Sequence, residues 1–123
     1  MSATQFSKSA FNASTMPRHL FGYDVVEFLG EGAGSRIYVV SEPVTHKLFA
    51  LKHVIRKEEK DIRFIEQLEA EFEVSSHFNH PGLRKSLDLK INKTLFRKVT
   101  DAALIMELEI MRLNRLVSKL SRN

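Results

Sequence analysis

The chain contains no cysteine, and none of its apolar runs approaches the roughly 18 residues that a membrane span requires. The missing cysteine excludes a disulfide framework and any metal or redox site built on thiolates. This composition fits a reducing compartment, and we predict a cytoplasmic protein. The missing apolar run predicts that no segment of this chain spans a membrane.

The chain also lacks a long block of like charge, although its formal net charge is +4 and its pI is about 9.5. The positive excess mildly favours anionic partners, but a solvated surface explains it equally well. Because neither a recognition motif nor an interleaved aromatic platform accompanies the charge, we expect no nucleic-acid partner. The 123 residues, 43% of them hydrophobic, predict one globular domain.

Residues 1–20 contain no acidic residue and show no sustained hydrophobic period. They are rich in Ser, Thr, Ala and Asn, a composition that flexible tails share with transit peptides. Only Lys8 and Arg18 are basic, which favours the tail over the transit peptide. We therefore predict a flexible N-terminal tail over residues 1–20.

Glycine is scarce, with five residues in all, but three of the five lie between Gly30 and Gly34. Apolar residues on both sides, in Phe21–Leu29 and Ile37–Val40, predict two strands joined by a turn. Because glycine has no Cβ, a glycine-dense turn lets the backbone approach a ligand closely. An ordinary hairpin also favours glycine, so this stretch alone leaves both interpretations open.

The third predicted strand, Leu48–Ile55, carries a charge among apolar residues. Alternation places Lys52 on one face with Leu48, Ala50 and Val54, and places His53 on the other face. Lys52 either extends its ammonium to water at a sheet edge or holds it inward to meet an anion. For His53 we predict a structural role.

Helix formers and apolar residues at three- and four-residue spacing predict a helix over Arg56–Phe78, which His80-Pro81-Gly82 ends. Glu71 lies at the flank of the apolar stripe and is the acid best placed to reach the sheet. The stripe itself should pack on the sheet, and it consists of Phe64, Ile65, Leu68, Phe72 and Ser75.

Two further strands are predicted, Ser86–Asn92 and Ala102–Leu108. In the first, Leu87, Leu89 and Ile91 should face inward. Residues 110–123 then follow helical spacing, with basic residues on the outer surface. This amphipathic helix either packs on its own domain or contacts a partner helix or an anionic surface.

The order of these motifs resembles the N-terminal lobe of a eukaryotic-type serine/threonine protein kinase. The matching motifs are Leu29-Gly30-Glu31-Gly32-Ala33-Gly34-Ser35-Arg36-Ile37, Phe49-Ala50-Leu51-Lys52 and the helix residue Glu71. The resemblance implies an α+β fold: a five-stranded antiparallel sheet with one packed helix, to which we add the C-terminal amphipathic helix. It covers residues 21–109, between the tail (1–20) and the basic helix (110–123).

The resemblance further implies ATP as the ligand, with Mg-ATP as its usual form. The glycine-rich loop would cover the phosphates, Lys52 would bind them, and Glu71 would pair with Lys52. Ser35 stands where the family places a third glycine. Met106 would lie at the back of the pocket, with Glu107–Glu109 as the hinge beside adenine. The residues implied to bind ATP are Leu29, Gly30, Glu31, Gly32, Ala33, Gly34, Ser35, Ile37, Ala50, Lys52, Met106, Glu107 and Glu109.

The sequence holds neither an H-R-D-x-x-x-x-N nor a D-F-G motif, which in this family supply the catalytic base and the metal ligands. We therefore expect no catalytic residue, no metal site and no independent kinase activity in this chain. It is either a truncated kinase or a stand-alone nucleotide-binding or regulatory module. Its open lower face and its C-terminal helix would bind a separate C-lobe, a second copy or another protein.

Overall fold

The structure is a computed structural model that describes residues 16–77 and 85–108. These residues form six strands, one α-helix and a 3₁₀ turn at Glu59–Asp61. The elements are β1 (His19–Leu20), β2 (Tyr23–Gly32), β3 (Ser35–Ser41), β4 (Leu48–Ile55), α1 (Ile62–His77), β5 (Ser86–Lys93) and β6 (Val99–Met106).

All the strand pairs are antiparallel, and the order across the sheet is β1-β2-β3-β4-β6-β5. The predicted fold class, a five-stranded sheet with a packed helix and a C-terminal helix, is therefore wrong. The described residues form a six-stranded sheet with one helix. The C-terminal helix predicted over residues 110–123 and the turn predicted at His80-Pro81-Gly82 lie outside the described residues.

The additional strand comes from residues that we assigned to the tail. Phe21 and Gly22 have φ angles of 52° and 87°, and they form the tight turn that pairs β1 with β2. Such a turn needs positive φ at both central residues, which glycine adopts without strain. A strand of two residues shows no alternation, so its pattern could not be recognised in the sequence.

The sheet packs a separate group of apolar side chains on each face. On the α1 face, Ala50, Val54 and Leu104 pack with Ile65 and Leu68 of the helix. The opposite face buries a second cluster, which Leu20, Phe21 and residues of β2 partly cover; it consists of Tyr38, Val40, Leu51, Ala103 and Ile105. Covering both faces explains the continuous apolar sequence of β6.

The predicted apolar stripe of the helix is confirmed, since Ile65 and Leu68 are buried and Phe64 and Phe72 pack against the core. The Ser75 hydroxyl also donates a hydrogen bond to the Ser86 hydroxyl of β5. The helix begins later than predicted, because the carboxylate of Asp61 accepts the backbone N–H groups of Lys57 and Glu58, both at 3.0 Å. These hydrogen bonds hold Lys57 and Glu58 in a non-helical backbone conformation before the helix.

In β5, the prediction for Leu87 is wrong because the pairing with β6 shifts register between Ser86 and Asp88. Leu87 is left 42% exposed, whereas Leu89 and Ile91 pack against the core as predicted. A bulge of this kind moves one residue out of the alternation. Among the residues that the structure describes, no helix is both long and apolar enough to cross a membrane.

Candidate functional site

The glycine stretch forms the hairpin between β2 and β3. Gly32 pairs with Ser35, which leaves Ala33 and Gly34 as the two residues of the turn. Gly34 has a φ of 70°, a backbone conformation that residues with a Cβ rarely adopt. The hairpin interpretation is thus confirmed, and the covering of a ligand by the same hairpin stays a prediction.

The turn of this hairpin rests on the helix. A Cβ built on Gly34 would lie 2.6 Å from Cγ of Phe64 and within 2.8 Å of both neighbouring ring carbons. Two separate reasons therefore favour glycine at this position. Its φ is positive, and the Phe64 ring leaves no room for a Cβ. The contact fixes the height of the hairpin above the first turn of α1.

Lys52 lies in a row of cross-strand neighbours on the α1 face. Gly30 pairs with Ile37, Ile37 pairs with Lys52, and Lys52 pairs with Leu104. Apart from Lys52, no charged side chain occurs in this row. The ammonium consequently lies between two apolar neighbours and beside the glycine hairpin.

The Lys52 ammonium binds the carboxylate of Glu71, with Nζ 2.9 Å from Oε1 and 3.1 Å from Oε2. The side chains are 23% and 36% exposed, so the pair is neither fully buried nor fully solvated. The prediction that a helix acid reaches the sheet is confirmed for Glu71. Charge-assisted bonds of this length hold both groups in one orientation.

Two adjoining cavities meet at this ion pair. The cavity under the hairpin has a volume of about 340 Å³, and the cavity beside α1 has a volume of about 530 Å³. Ile37, Lys52 and Gln67 line both of them. The second is the more apolar, because Leu104, Met106, Ala70 and Val74 contribute to its wall.

Most of the residues predicted to bind ATP are brought together by these cavities. The hairpin cavity is lined by Leu29, Gly30, Glu31, Gly32, Ala33, Ser35, Ile37 and Lys52, and the cavity beside α1 by Ile37, Lys52, Glu71 and Met106. Leu29 lies at a register shift between Phe28 and Gly30, a local departure from regular pairing.

Four predicted residues do not line these two cavities. Gly34 faces Phe64, and Ala50 is fully buried in the core. Glu107 is exposed, and its backbone N–H donates a hydrogen bond to the Lys85 carbonyl at 3.0 Å. Glu109 lies outside the described residues.

Gln67 was missed by the sequence analysis, although it lines both cavities. Its amide group is able both to donate and to accept hydrogen bonds. Gln67 stands four residues before Glu71 in α1, a spacing that places both side chains on one face of a helix. This spacing is the signal that could have identified it.

A second polar pair lies on the opposite face of the sheet. Nε2 of His53 is 2.8 Å from Oδ2 of Asp101, and the imidazole and the Phe21 ring pack at an interplanar angle of 76°. His53 is 8% exposed. Its burial and its bonding to Asp101 fit the structural role predicted for it.

The pKa of Asp101 lies below its usual range. Burial of the carboxyl acts to raise this pKa, but hydrogen bonds from His53, Thr100 and Asn92 together outweigh it and lower the value. The bonded atoms confirm the cause, since Asp101 accepts from Thr100 at 2.9 Å and from Asn92 at 3.1 Å. Bonds to the ionised form stabilise the charge.

Over residues 16–77 and 85–108, no group of three or more His, Asp or Glu side chains is arranged to hold a metal ion. No family model matches this chain. The argument for function therefore depends on the geometry around Lys52.

Proposed function

We propose that this protein binds ATP between the glycine hairpin and Lys52, as the nucleotide-binding lobe of a serine/threonine protein kinase-like protein. The observation that carries the proposal is the Lys52–Glu71 ion pair at 2.9 Å, located where two cavities join. Lys52 would bind the phosphates, and Glu71 would hold the ammonium in place.

The fold itself gives little reason to keep a lysine at this position. A partly exposed ion pair adds only about 0–1 kcal/mol to stability, and an apolar side chain would suit the row between Ile37 and Leu104 better. A cation held beside a cavity by a helix carboxylate is instead suited to an anionic ligand. This comparison favours a binding role over a purely structural one.

The linings of the two cavities differ in the way that the two ends of a nucleotide do. Under the hairpin, the wall includes backbone of Gly30 and Gly32, where a phosphate can approach closely because no side chain intervenes. Beside α1, Ile37, Leu104 and Met106 offer apolar surface to a base. Each volume falls within the range of roughly 300–1,000 Å³ typical of small-molecule sites.

The proposed role of this chain is binding and orientation of the nucleotide. Phosphoryl transfer depends on metal-assisted charge stabilisation and on a positioned hydroxyl, and the family places those groups in motifs that these residues do not contain. A separate C-lobe would have to supply them. A stand-alone regulatory module that binds nucleotide without reaction would use the same site.

Replacing Lys52 with methionine tests the proposal. The change keeps the length and apolar body of the side chain but removes the ammonium, so we expect ATP affinity to fall by about tenfold or more, as the loss of a charge-assisted bond implies. Glu71→Gln should weaken ATP binding less, because the ammonium remains. Isothermal titration with ATP, with and without Mg²⁺, measures both effects.

Lys60→Met is the matched control, because Lys60 is 69% exposed and lies outside both cavities. Its ATP affinity should equal that of the unchanged chain. Equal binding by Lys52→Met and the unchanged chain, or no binding by either, would refute the proposal. Circular dichroism of each variant verifies that the sheet is intact.

A further inference from the structure

The hairpin between β5 and β6 ends in two apolar residues that the fold does not use. Leu95 is 94% exposed and Phe96 is 91% exposed, more than any other large hydrophobic side chain in residues 16–77 and 85–108. Single exposed apolar residues are common on protein surfaces and require no explanation. Two adjacent ones at the tip of a hairpin form a small apolar surface that folding does not need. We call residues 94–98 the β5–β6 tip.

The β5–β6 tip has a defined, hydrogen-bonded shape. Thr94 N–H donates to the Lys98 carbonyl, and Arg97 N–H donates to the Thr94 carbonyl, both at 2.8 Å. Arg97 has a φ of 65°, and Lys98 N–H also donates to the Thr94 hydroxyl at 3.1 Å. Leu95 and Phe96 therefore occupy the two corner positions of the turn, where polar residues and glycine are the usual choice.

Positive charge surrounds the apolar pair. Residues 89–100 contain four cations and no acid, namely Lys90, Lys93, Arg97 and Lys98. Asp88 pairs with Lys90 at 3.6 Å and Glu59 pairs with Lys98 at 3.1 Å, but within the described part of the chain no ion pair is found for Lys93 or Arg97. The tip thus combines an apolar end with a cationic flank.

We infer that the β5–β6 tip binds the surface of an anionic lipid bilayer, with Leu95 and Phe96 inserted at the interface and Lys93 and Arg97 against the headgroups. Apolar insertion beside basic residues is the combination that holds peripheral proteins on such membranes. This surface shares no residue with the nucleotide cavities, so the inference does not depend on the proposed function.

The size of the tip favours a bilayer over a protein partner. A stable protein interface buries about 800 Å² on each side, and two protruding side chains provide only a fraction of that area. Exposures above 90% also mean that none of the described residues forms a rim around these two side chains. A fluid bilayer requires neither a large area nor a complementary groove.

Tryptophan substitution offers a direct measurement, because the chain has no tryptophan of its own. Phe96→Trp places a single indole at the tip, and its emission should shift to shorter wavelength with phosphatidylcholine vesicles that contain phosphatidylglycerol. Vesicles of phosphatidylcholine alone should produce a much smaller shift. Val44→Trp is the matched control, since Val44 is 83% exposed in another turn, and its emission should not change.

Vesicle sedimentation tests the two parts of the tip separately. Leu95→Ser/Phe96→Ser should lower binding to the anionic vesicles by about tenfold or more, because bound apolar area is lost. Lys93→Gln/Arg97→Gln should lower it by a similar amount, since each cation near the surface contributes about fivefold. Val44→Ser should bind as the unchanged chain does.

Three results would overturn the inference. One is equal emission shifts for Phe96→Trp with anionic and neutral vesicles, and another is unchanged sedimentation of Leu95→Ser/Phe96→Ser. The third is a dimer, observed without lipid by light scattering, that Leu95→Ser/Phe96→Ser converts to monomer, because the tip would then contact a second copy. Urea unfolding shows that the variants fold, which we expect for residues as exposed as these.

Discussion

Lys52 and His53 are adjacent in β4, and each contacts a carboxylate on its own face of the sheet. Lys52 meets Glu71 in a partly exposed position beside two cavities, whereas His53 meets Asp101 in a position that is almost closed to water. Exposure separates their roles, since the Lys52 side chain is 23% exposed and the His53 side chain is 9% exposed. The binding role of Lys52 stays a proposal, and for His53 and Asp101 we predict a role in stability.

The pKa of Asp101 leads to a prediction about acid stability. Because the folded-state pKa lies below the unfolded value of about 3.8, the ionised carboxyl stabilises the fold above that pH. Its contribution is lost as the pH falls through the lower, folded-state pKa. We expect Asp101→Asn to lower the free energy of unfolding at neutral pH by about 1–2 kcal/mol and to make the acid-induced loss shallower.

Urea unfolding from neutral pH down to about pH 2 measures this change. Asp88→Asn is the control, because Asp88 has an exposed side chain on the edge strand β5. Asp88→Asn should show the same difference in the free energy of unfolding between neutral and acid pH as the unchanged chain. Identical pH profiles for Asp101→Asn and the unchanged chain would show that the pair with His53 does not stabilise the fold.

At the scale of elements, the β2–β3 hairpin and α1 form the two sides of the candidate site. Phe64 supports the hairpin turn, and Gln67 and Glu71 follow on the same helix at intervals of three and four residues. One helix face therefore sets both the height of the glycine hairpin and the position of the Lys52 ammonium. A displacement of α1 would alter the two together.

Gly34→Ala tests the contact between these elements. The new methyl group would clash with the Phe64 ring and would also hold alanine at a positive φ, which costs about 1 kcal/mol by itself. We expect a larger total loss in the free energy of unfolding, about 2–4 kcal/mol, since the ring is packed against the core. Chemical denaturation provides the measurement.

The double variant Gly34→Ala/Phe64→Ala separates the two causes. Its loss in the free energy of unfolding should be smaller than the sum of the two single losses, because the clash disappears while the cost of the positive φ remains. Gly30→Ala is the control: a Cβ at Gly30 meets no atom within 4 Å, and its φ is not in the positive range. Additive losses in the double variant would mean that the hairpin does not rest on Phe64.

At the scale of the whole molecule, one sheet supports two apolar clusters. Leu51 is fully buried on one face, and Leu68 of α1 is 1% exposed on the other. Every strand from β3 to β6 is hydrogen-bonded to a neighbour in the same sheet. The clusters should therefore lose their structure together, because neither has a sheet of its own.

This arrangement predicts a single cooperative transition. Leu51→Ala and Leu68→Ala should each lower the free energy of unfolding by about 2–5 kcal/mol, because each leaves a cavity in a buried cluster. Tyrosine emission reports on the cluster that contains Leu51, through Tyr23 and Tyr38. Far-ultraviolet circular dichroism reports on the helix and the sheet. The two signals should shift equally in either variant, and separate transitions would contradict the shared sheet.

Local patterns in the sequence determined several features correctly. Alternation placed Lys52 and His53 on opposite faces of β4, and helical spacing placed Glu71 toward the sheet. Three glycines between apolar runs predicted the β2–β3 turn. These succeeded because the periods of strands and helices depend only on backbone geometry within a few residues.

Tertiary structure decided what local pattern could not. The bulge that exposes Leu87 and the pairing of two-residue β1 with β2 depend on strand register, which no periodicity encodes. The same holds for Phe64 under Gly34 and for Asp101 beside His53, 48 residues away in the chain. Distant segments meet only when the whole sheet has formed, so packing and register determined how the candidate site is assembled.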